Sequence, residues 1–446
     1  MAAAYVHRWS VRARSAYLLL RSWVFAHPRV TEFACATAAA LLAFWRAPSI
    51  GWLPGGPEAE LSRTEDIHNI YYAARAASWR DIPHWWTGSW IYPHVPYYRP
   101  VTSMLFLAEC HAFGTNFTAW DRVSVGLHVM NALLVYLLTS SLFRHHGLGR
   151  CLLGLLAVVF FATPANTMFF AVGRSLTWWP AQNDVLSLTF GLLCLTLLDA
   201  GLVGRRPTFI GFSVLSLIAS VGSKEMGYIT IPMALGLLLY RRVYMVSAGA
   251  TFLATGAMLW VIRRVCVPNA WGPVMARMVI LRKWIHEWSG PLGSLMFAGI
   301  WWPIAAAGCI LLLTAVARSL KWPAWAIVLA DTVAACACAQ FVGPDGTWAL
   351  VFVPDGFAML LAVIVYLVAP WLFWRHRRNE PGIVAAALML LSFLPILQYG
   401  GRHYFYWPGA FLAIADAAFA ACLWREVRPL LQRAVDWALR SEGLRT

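Results

Sequence analysis

Apolar positions in this chain run together in long stretches, and polar positions are confined to short intervals between them. A helix of about 20 apolar residues crosses a hydrocarbon core of about 30 Å. The stretches predict membrane spans near residues 31–49, 120–143, 151–171, 184–203, 208–222, 226–240, 244–262, 291–317, 323–342, 355–374, 382–399 and 409–424. No long alternating pattern with paired turns suggests a barrel. The run 101–113 is apolar but short, and it carries Glu109 and His111. It reads as a juxtamembrane or re-entrant helix instead of a span. The expected fold is an all-α polytopic membrane protein, one integral domain over residues 1–446, with about 12 transmembrane helices.

The longest polar-rich interval between the first two spans is Arg63–Pro100, inside a first outer loop placed at 50–118. It holds the acid pair Glu65-Asp66, three histidines, many aromatics and Tyr98-Arg99-Pro100. Ser62 and Glu65 have capping-box spacing, which predicts a helix over 63–80 with Ile67, Ile70, Tyr71 and Ala74 on one face. Glu65 serves that cap, whereas Asp66 is not used by it. Pro100 holds Arg99 extended at the start of the 101–113 helix.

Composition agrees with this picture. The chain is 60% hydrophobic and 12% charged, where a soluble domain is about 25% charged. The formal charge of +15 suggests a nucleic-acid partner, but the basic residues sit in short clusters between apolar runs. That distribution is the positive-inside pattern of a membrane protein, so no nucleic acid is expected. With twelve spans and a cytoplasmic segment 1–30, 21 of the 35 basic residues fall on one side. Counting 101–113 as a span would turn most arginine clusters outward. Both termini are therefore expected in the cytoplasm, with a tail at 425–446 and an outer interfacial loop at 263–290. The nine cysteines show no zinc spacing and no disulfide framework. Asn116-Phe117-Thr118 matches a glycosylation acceptor, a three-residue pattern of low specificity.

This topology gathers the polar constellations on the outer face. They are Glu65-Asp66, Tyr98-Arg99-Pro100, Asp121-Arg122, Gly173-Arg174 with Asn183-Asp184, Ser223-Lys224-Glu225, and Arg402-His403-Tyr404. Each also has a bland role. Arg99 suits an interfacial anchor, Lys224 and Glu225 a simple salt bridge, and Asn183-Asp184 a helix cap. Arg402 with its aromatic neighbours suits an interfacial belt. The sharper role for the cations is a phosphate clamp.

Taken in order, these residues and their surroundings form a pattern: the acid pair; YRPVTSMLFLAECHAFGTN; WDRVSVGLHVMNALLVYLLTSSLF; GLLAVVFFATPANTMFFAVGRSLTWWPAQNDVLSL; VGSKEMGYITIP; and RHYFYWPG. The pattern resembles the membrane part of GT-C superfamily glycosyltransferases. The nearest branch is the protein O-mannosyltransferases that carry tetratricopeptide repeats, with their bacterial relatives. It covers about residues 60–410. The resemblance implies a GT-C-like bundle with juxtamembrane helices in the first outer loop. It makes Glu65-Asp66 the catalytic acid pair, with Glu65 standing where aspartate is commoner. It maps the family's YRPL onto Tyr98-Arg99-Pro100-Val101 and its SKE onto Ser223-Lys224-Glu225. Its RYxYxP falls on Arg402, Tyr404, Tyr406 and Pro408, and its GRxD is stretched to Gly173-Arg174 and Asp184. Its HP is Thr163-Pro164 here, so the histidine is lost.

The implied reaction is an inverting transfer of a sugar, a hexose such as mannose, from a polyprenyl-phosphate donor. The acceptor is a hydroxyl on a protein, lipid or glycan. Asp66 is the implied general base. Arg174, Lys224, Arg402 and Arg99 are the implied phosphate ligands, supported by Asp184, Glu225, Tyr98 and Tyr404. No cofactor or metal is obligatory, although Glu65, Asp66 and Asp184 offer ligands for a divalent cation. The implied location is a bacterial inner membrane with the active face periplasmic, the bilayer itself being a partner. The alternatives are a transporter or flippase of lipid-linked glycans, and a non-catalytic protein of the same fold.

Overall fold

A computed structural model describes residues 65–92, 97–146, 148–162, 179–267, 380–393 and 406–443, with Glu32, residues 34–38 and Arg375 besides. Helices and 3-10 turns dominate, and there is no strand among the described residues. Three short helices come first: α1 (Glu65–Ala76), α2 (Ile82–Thr87) and α3 (Pro100–Phe113). Then follow α4 (Phe117–Leu142), α5 (Leu148–Ala162), α6 (Gln182–Gly204), α7 (Pro207–Ser223), α8 (Thr230–Arg241) and α9 (Met245–Cys266). The last two are α10 (Glu380–Phe393) and α11 (Tyr406–Gly443).

Among the described residues, α4, α6, α9 and the Tyr406–Leu430 part of α11 are long and apolar enough to cross a membrane. At about 1.5 Å per residue, each reaches past the roughly 30 Å of a hydrocarbon core. An all-α membrane protein follows. Of the expected spans, 291–317, 323–342, 355–374 and most of 31–49 lie outside the described residues. So do residues 268–290 of the outer loop.

Several boundaries move, for physical reasons. The helix expected over 63–80 ends at Ala76. Ser78 then caps a separate 3-10 turn, its hydroxyl accepting from Arg80 N while Asp81 accepts from Ser78 N at 2.7 Å. The span expected over 226–240 is instead a 3-10 turn, Glu225–Ile229, followed by the 12-residue α8. Pro232 excludes a regular helix upstream, because its ring would strike the carbonyl of Tyr228. Gly227 lets the turn lie against α7, since a Cβ there would sit 2.5 Å from Ser220 C and O. Helix α9 continues through Arg263 and Arg264, residues expected in the outer loop. Helix α11 does not stop at residue 424 but runs 38 residues to Gly443. Asn116 caps α4, accepting from Ala119 N at 3.3 Å, so its side chain serves the fold.

Helix α6 is the axis of the bundle. It packs against α4, α7, α8 and α11, and most of its residues are buried. Gly191 admits Trp407 of α11, whose Cη2 would lie 2.3 Å from an added Cβ. A buried polar knot joins α6 to α4 and α11. His128 Nδ1 meets the Tyr406 hydroxyl at 2.5 Å, and Asn131 Nδ2 donates to that hydroxyl and to Val185 O, both at 3.1 Å.

The two ends of the bundle differ. At one end Arg241 of α8 grips Asp199 of α6 at 2.7 and 3.0 Å and donates to Ser141 O of α4 at 3.1 Å. The Ser141 hydroxyl donates to the same Asp199. That clasp ties the C-terminal ends of α4, α6 and α8 together. The opposite end carries α3, the first turn of α6, the α7–α8 turn and the last turn of α9, and there the candidate site lies.

Candidate functional site

Pro100 sets the site by starting α3 and leaving Arg99 outside the helix, at φ −141° and ψ 58°. The Arg99 guanidinium lies 3.8 Å from the Tyr97 ring centroid and 5.3 Å from that of Trp90. Stacking of this kind fixes a planar cation and suits arginine better than lysine. Held there, Arg99 donates from Nε (3.1 Å) and Nη2 (2.8 Å) to Oε2 of Glu225. Thr102 adds a tie between α3 and α7, its hydroxyl donating to Ser223 O at 2.7 Å. Tyr98 donates to Trp86 O at 3.1 Å, and burial pushes its phenol up to about 12.

Lys224 lies between α7 and the 3-10 turn in extended backbone, φ −159° and ψ 153°. Successive side chains of an extended segment point to opposite sides. Lys224 therefore does not pair with its neighbour Glu225, as a simple salt bridge would have it. Its Nζ donates to Asp184 Oδ2 at 2.6 Å. Asp184 is thereby an ion-pair partner in the first turn of α6, not a cap: the N-cap is Ala181, with no side-chain cap bond. Glu225 has Arg99 on Oε2, and Arg263 Nη2 stands 3.8 Å from its Oε1.

The two ion-pair groups differ in access. Lys224 and Asp184 are sealed, with side chains 5% and 0% exposed, whereas Glu225 and Arg263 are 21% and 22% exposed. Burial lowers the Lys224 ammonium below its ordinary value, and Asp184 opposes that shift. Burial would raise Glu225, but Arg99 and Arg263 outweigh it and hold the carboxyl below the usual range. Three cations face two carboxylates here, a surplus of one positive charge.

A buried carboxyl lies close by. Glu109 of α3 accepts from Gln182 Nε2 at 2.9 Å, and the same nitrogen donates to Trp120 O at 2.8 Å. Burial raises the Glu109 carboxyl to about 8, the Gln182 bond opposing and nearby Asp121 adding to the rise.

The structure thus brings together Tyr98, Arg99, Asp184, Lys224 and Glu225 from three separate stretches of chain. Glu65 and Asp66 form the first turn of α1, which packs on α3 and on the 3-10 turn before α6. Their side chains, and all of Arg174, Arg402, Tyr404 and Thr163-Pro164, lie outside the described residues. Among the described residues no three His, Cys, Asp or Glu side chains converge as metal ligands. Lys224 occupies Oδ2 of Asp184, while its Oδ1 is buried without a hydrogen-bond partner among the described residues. Sequence reasoning missed Arg263, Tyr228, Glu109 and Gln182 as members of this region. Arg263 was assigned to an outer loop, and Gln182, beside Asn183-Asp184, was not singled out.

No known family model, curated protein or solved structure matches this chain.

Proposed function

We propose that the protein is a membrane glycosyltransferase that moves a sugar from a polyprenyl-phosphate donor to an acceptor hydroxyl, with inversion. One observation carries the reading. Tyr98-Arg99, Asp184 and Lys224-Glu225, expected from separate loops, meet in a single cationic cluster beside the helix that opens with Glu65-Asp66. In this reaction Asp66 takes the acceptor's proton as its oxygen attacks the anomeric carbon. The bond from that carbon to the phosphate oxygen breaks, and the phosphate leaves with the electron pair. The leaving group is already an anion, so it needs fixed positive charge and no general acid. Arg99 and the surplus cation of the cluster supply that charge, while the Lys224–Asp184 pair holds α6 against the α7–α8 turn. The arginine-rich opposite end is the cytoplasmic one on the positive-inside argument, which puts the site outside.

A non-catalytic protein of the same architecture is the second reading. It is favoured by the bonding of both Arg99 and Lys224 to carboxylates. The two part in one assay. Purified protein in nanodiscs is given a radiolabelled polyprenyl-phosphate hexose and a mixture of acceptor peptides, lipids and glycans. Label moving to any acceptor supports the transferase. Unchanged donor throughout supports the second reading; a separate measurement in proteoliposomes, with donor appearing in the opposite leaflet and no transfer, would support a flippase.

A further inference from the structure

Not every cation in the cluster is equally available to a ligand. Lys224 is neutralised by Asp184 and sealed from solvent. Arg99 is stacked on Tyr97 and Trp90 and spends two donors on Glu225 Oε2. Arg263 differs. Its closest carboxylate oxygen, Glu225 Oε1, is 3.8 Å away, beyond hydrogen-bond distance. Its Nε is buried without an acceptor among the described residues, and so is the hydroxyl of Tyr228 without a partner. Tyr228 lies within the electrostatic reach of both Arg263 and Glu225. The Arg263 Nε and the Tyr228 hydroxyl thus have no hydrogen-bond partner among the described residues, and they belong to partly exposed side chains of a cluster with surplus positive charge.

We propose that Arg263 and Tyr228 form the phosphate subsite, which takes the phosphate of a prenyl phosphate. This assignment rests on the donor reading above and departs from the resemblance, which points to Arg174, Lys224, Arg402 and Arg99. An arginine fork matches two phosphate oxygens, and the tyrosine hydroxyl donates to a third. The surroundings suit a lipid-borne phosphate. Arg263 is in the last turn of α9, and Trp260 lies one turn deeper on the same face, 52% exposed. The Arg264 guanidinium stands 5.5 Å from the Trp260 ring centroid, and the exposed remainder of the indole offers an isoprenoid tail an apolar surface one turn below Arg263.

The test is direct binding by the full chain in phosphatidylcholine nanodiscs, with farnesyl phosphate as probe. Wild type is expected to bind saturably. Arg263→Gln should weaken the Kd by about tenfold or more, and Tyr228→Phe by about three- to tenfold, as losses of a charged and a neutral hydrogen bond. The double variant Lys224→Met/Asp184→Asn removes the sealed pair without stranding a charge and should leave the Kd within about threefold. A melting curve for each variant separates lost binding from lost fold, and Tyr228→Phe keeps the test open if Arg263→Gln unfolds. Wild-type affinity in both Arg263→Gln and Tyr228→Phe overturns the assignment. So does competition by phosphatidylglycerol as strong as that of farnesyl phosphate itself, which would mark a general headgroup site. Binding lost in Arg263→Gln with no sugar transfer by wild type retires the transferase and leaves the subsite standing. Transfer unchanged in Arg263→Gln does the reverse.

Discussion

Two carboxyls in this region shift in opposite directions, and each makes a prediction about pH. Glu109 is raised to about 8, chiefly by burial, from an ordinary value of about 4.3. The folded state then binds the extra proton, so its contribution to stability is complete below the ordinary value and is lost as pH rises through about 8. Glu225 is lowered, so its contribution is present above the ordinary value and is lost in acid. The thermal midpoint of wild type should therefore fall between pH 5 and about pH 8, and Glu109→Gln should flatten that fall. An unchanged slope in Glu109→Gln would contradict the assignment. Single residues were also the scale at which the sequence was most and least legible. Arg99 stood out because proline follows it. Lys224 stood out too, but its partner did not: adjacency in sequence suggested Glu225, whereas extended backbone turns the two side chains apart and tertiary packing supplies Asp184. Arg263 sat beside Arg264 at a span end, where an arginine more often snorkels to water. Only the proximity of Glu225, 38 positions earlier, gives it another role.

Element boundaries were readable where the signal is local and unreadable where it is not. Pro100 and the short run after it gave α3 almost to the residue. The 225–229 turn was missed because its apolar sequence looks like a span, and its cause is the contact of Gly227 with the last turns of α7. That contact predicts a large effect from a small change. Gly227→Ala would set a methyl 2.5 Å from Ser220 backbone atoms and should destabilise by about 1–3 kcal/mol, read as a lower thermal midpoint. Gly211→Ala, on an open face of α7, is the matched control and should be neutral or slightly stabilising. Equal midpoints for the two variants would mean that the turn moves freely. Lys224→Ala strands the buried Asp184 and is expected to cost about 3–5 kcal/mol, more than loss of the pair as a whole.

At the scale of the whole molecule, hydrophobic runs and arginine clusters revealed the class of fold and the alternation of helices. They did not reveal which polar groups would meet. The bundle has a clasp at one end, Arg241–Asp199–Ser141, and an ion-pair cluster at the other. Between them α9 presents exposed Leu253, Met258 and Trp260, as a lipid-facing helix does. This two-ended arrangement predicts opposite labelling in intact cells, in a background without reactive native cysteines. His84→Cys, exposed near the site, should react with a membrane-impermeant maleimide from outside. Arg242→Cys, exposed near the clasp, should react only after permeabilisation. The reverse pattern would invert the orientation.

In the proposed mechanism Asp66 is the base of a sugar transfer at this end of the bundle. Its most direct test compares wild type with Asp66→Asn in nanodiscs, measuring transfer from a polyprenyl-phosphate hexose alongside farnesyl phosphate binding. The expected result is a loss of transfer of roughly 10²–10⁴-fold with unchanged phosphate affinity. Transfer by Asp66→Asn at the wild-type rate would contradict the claim.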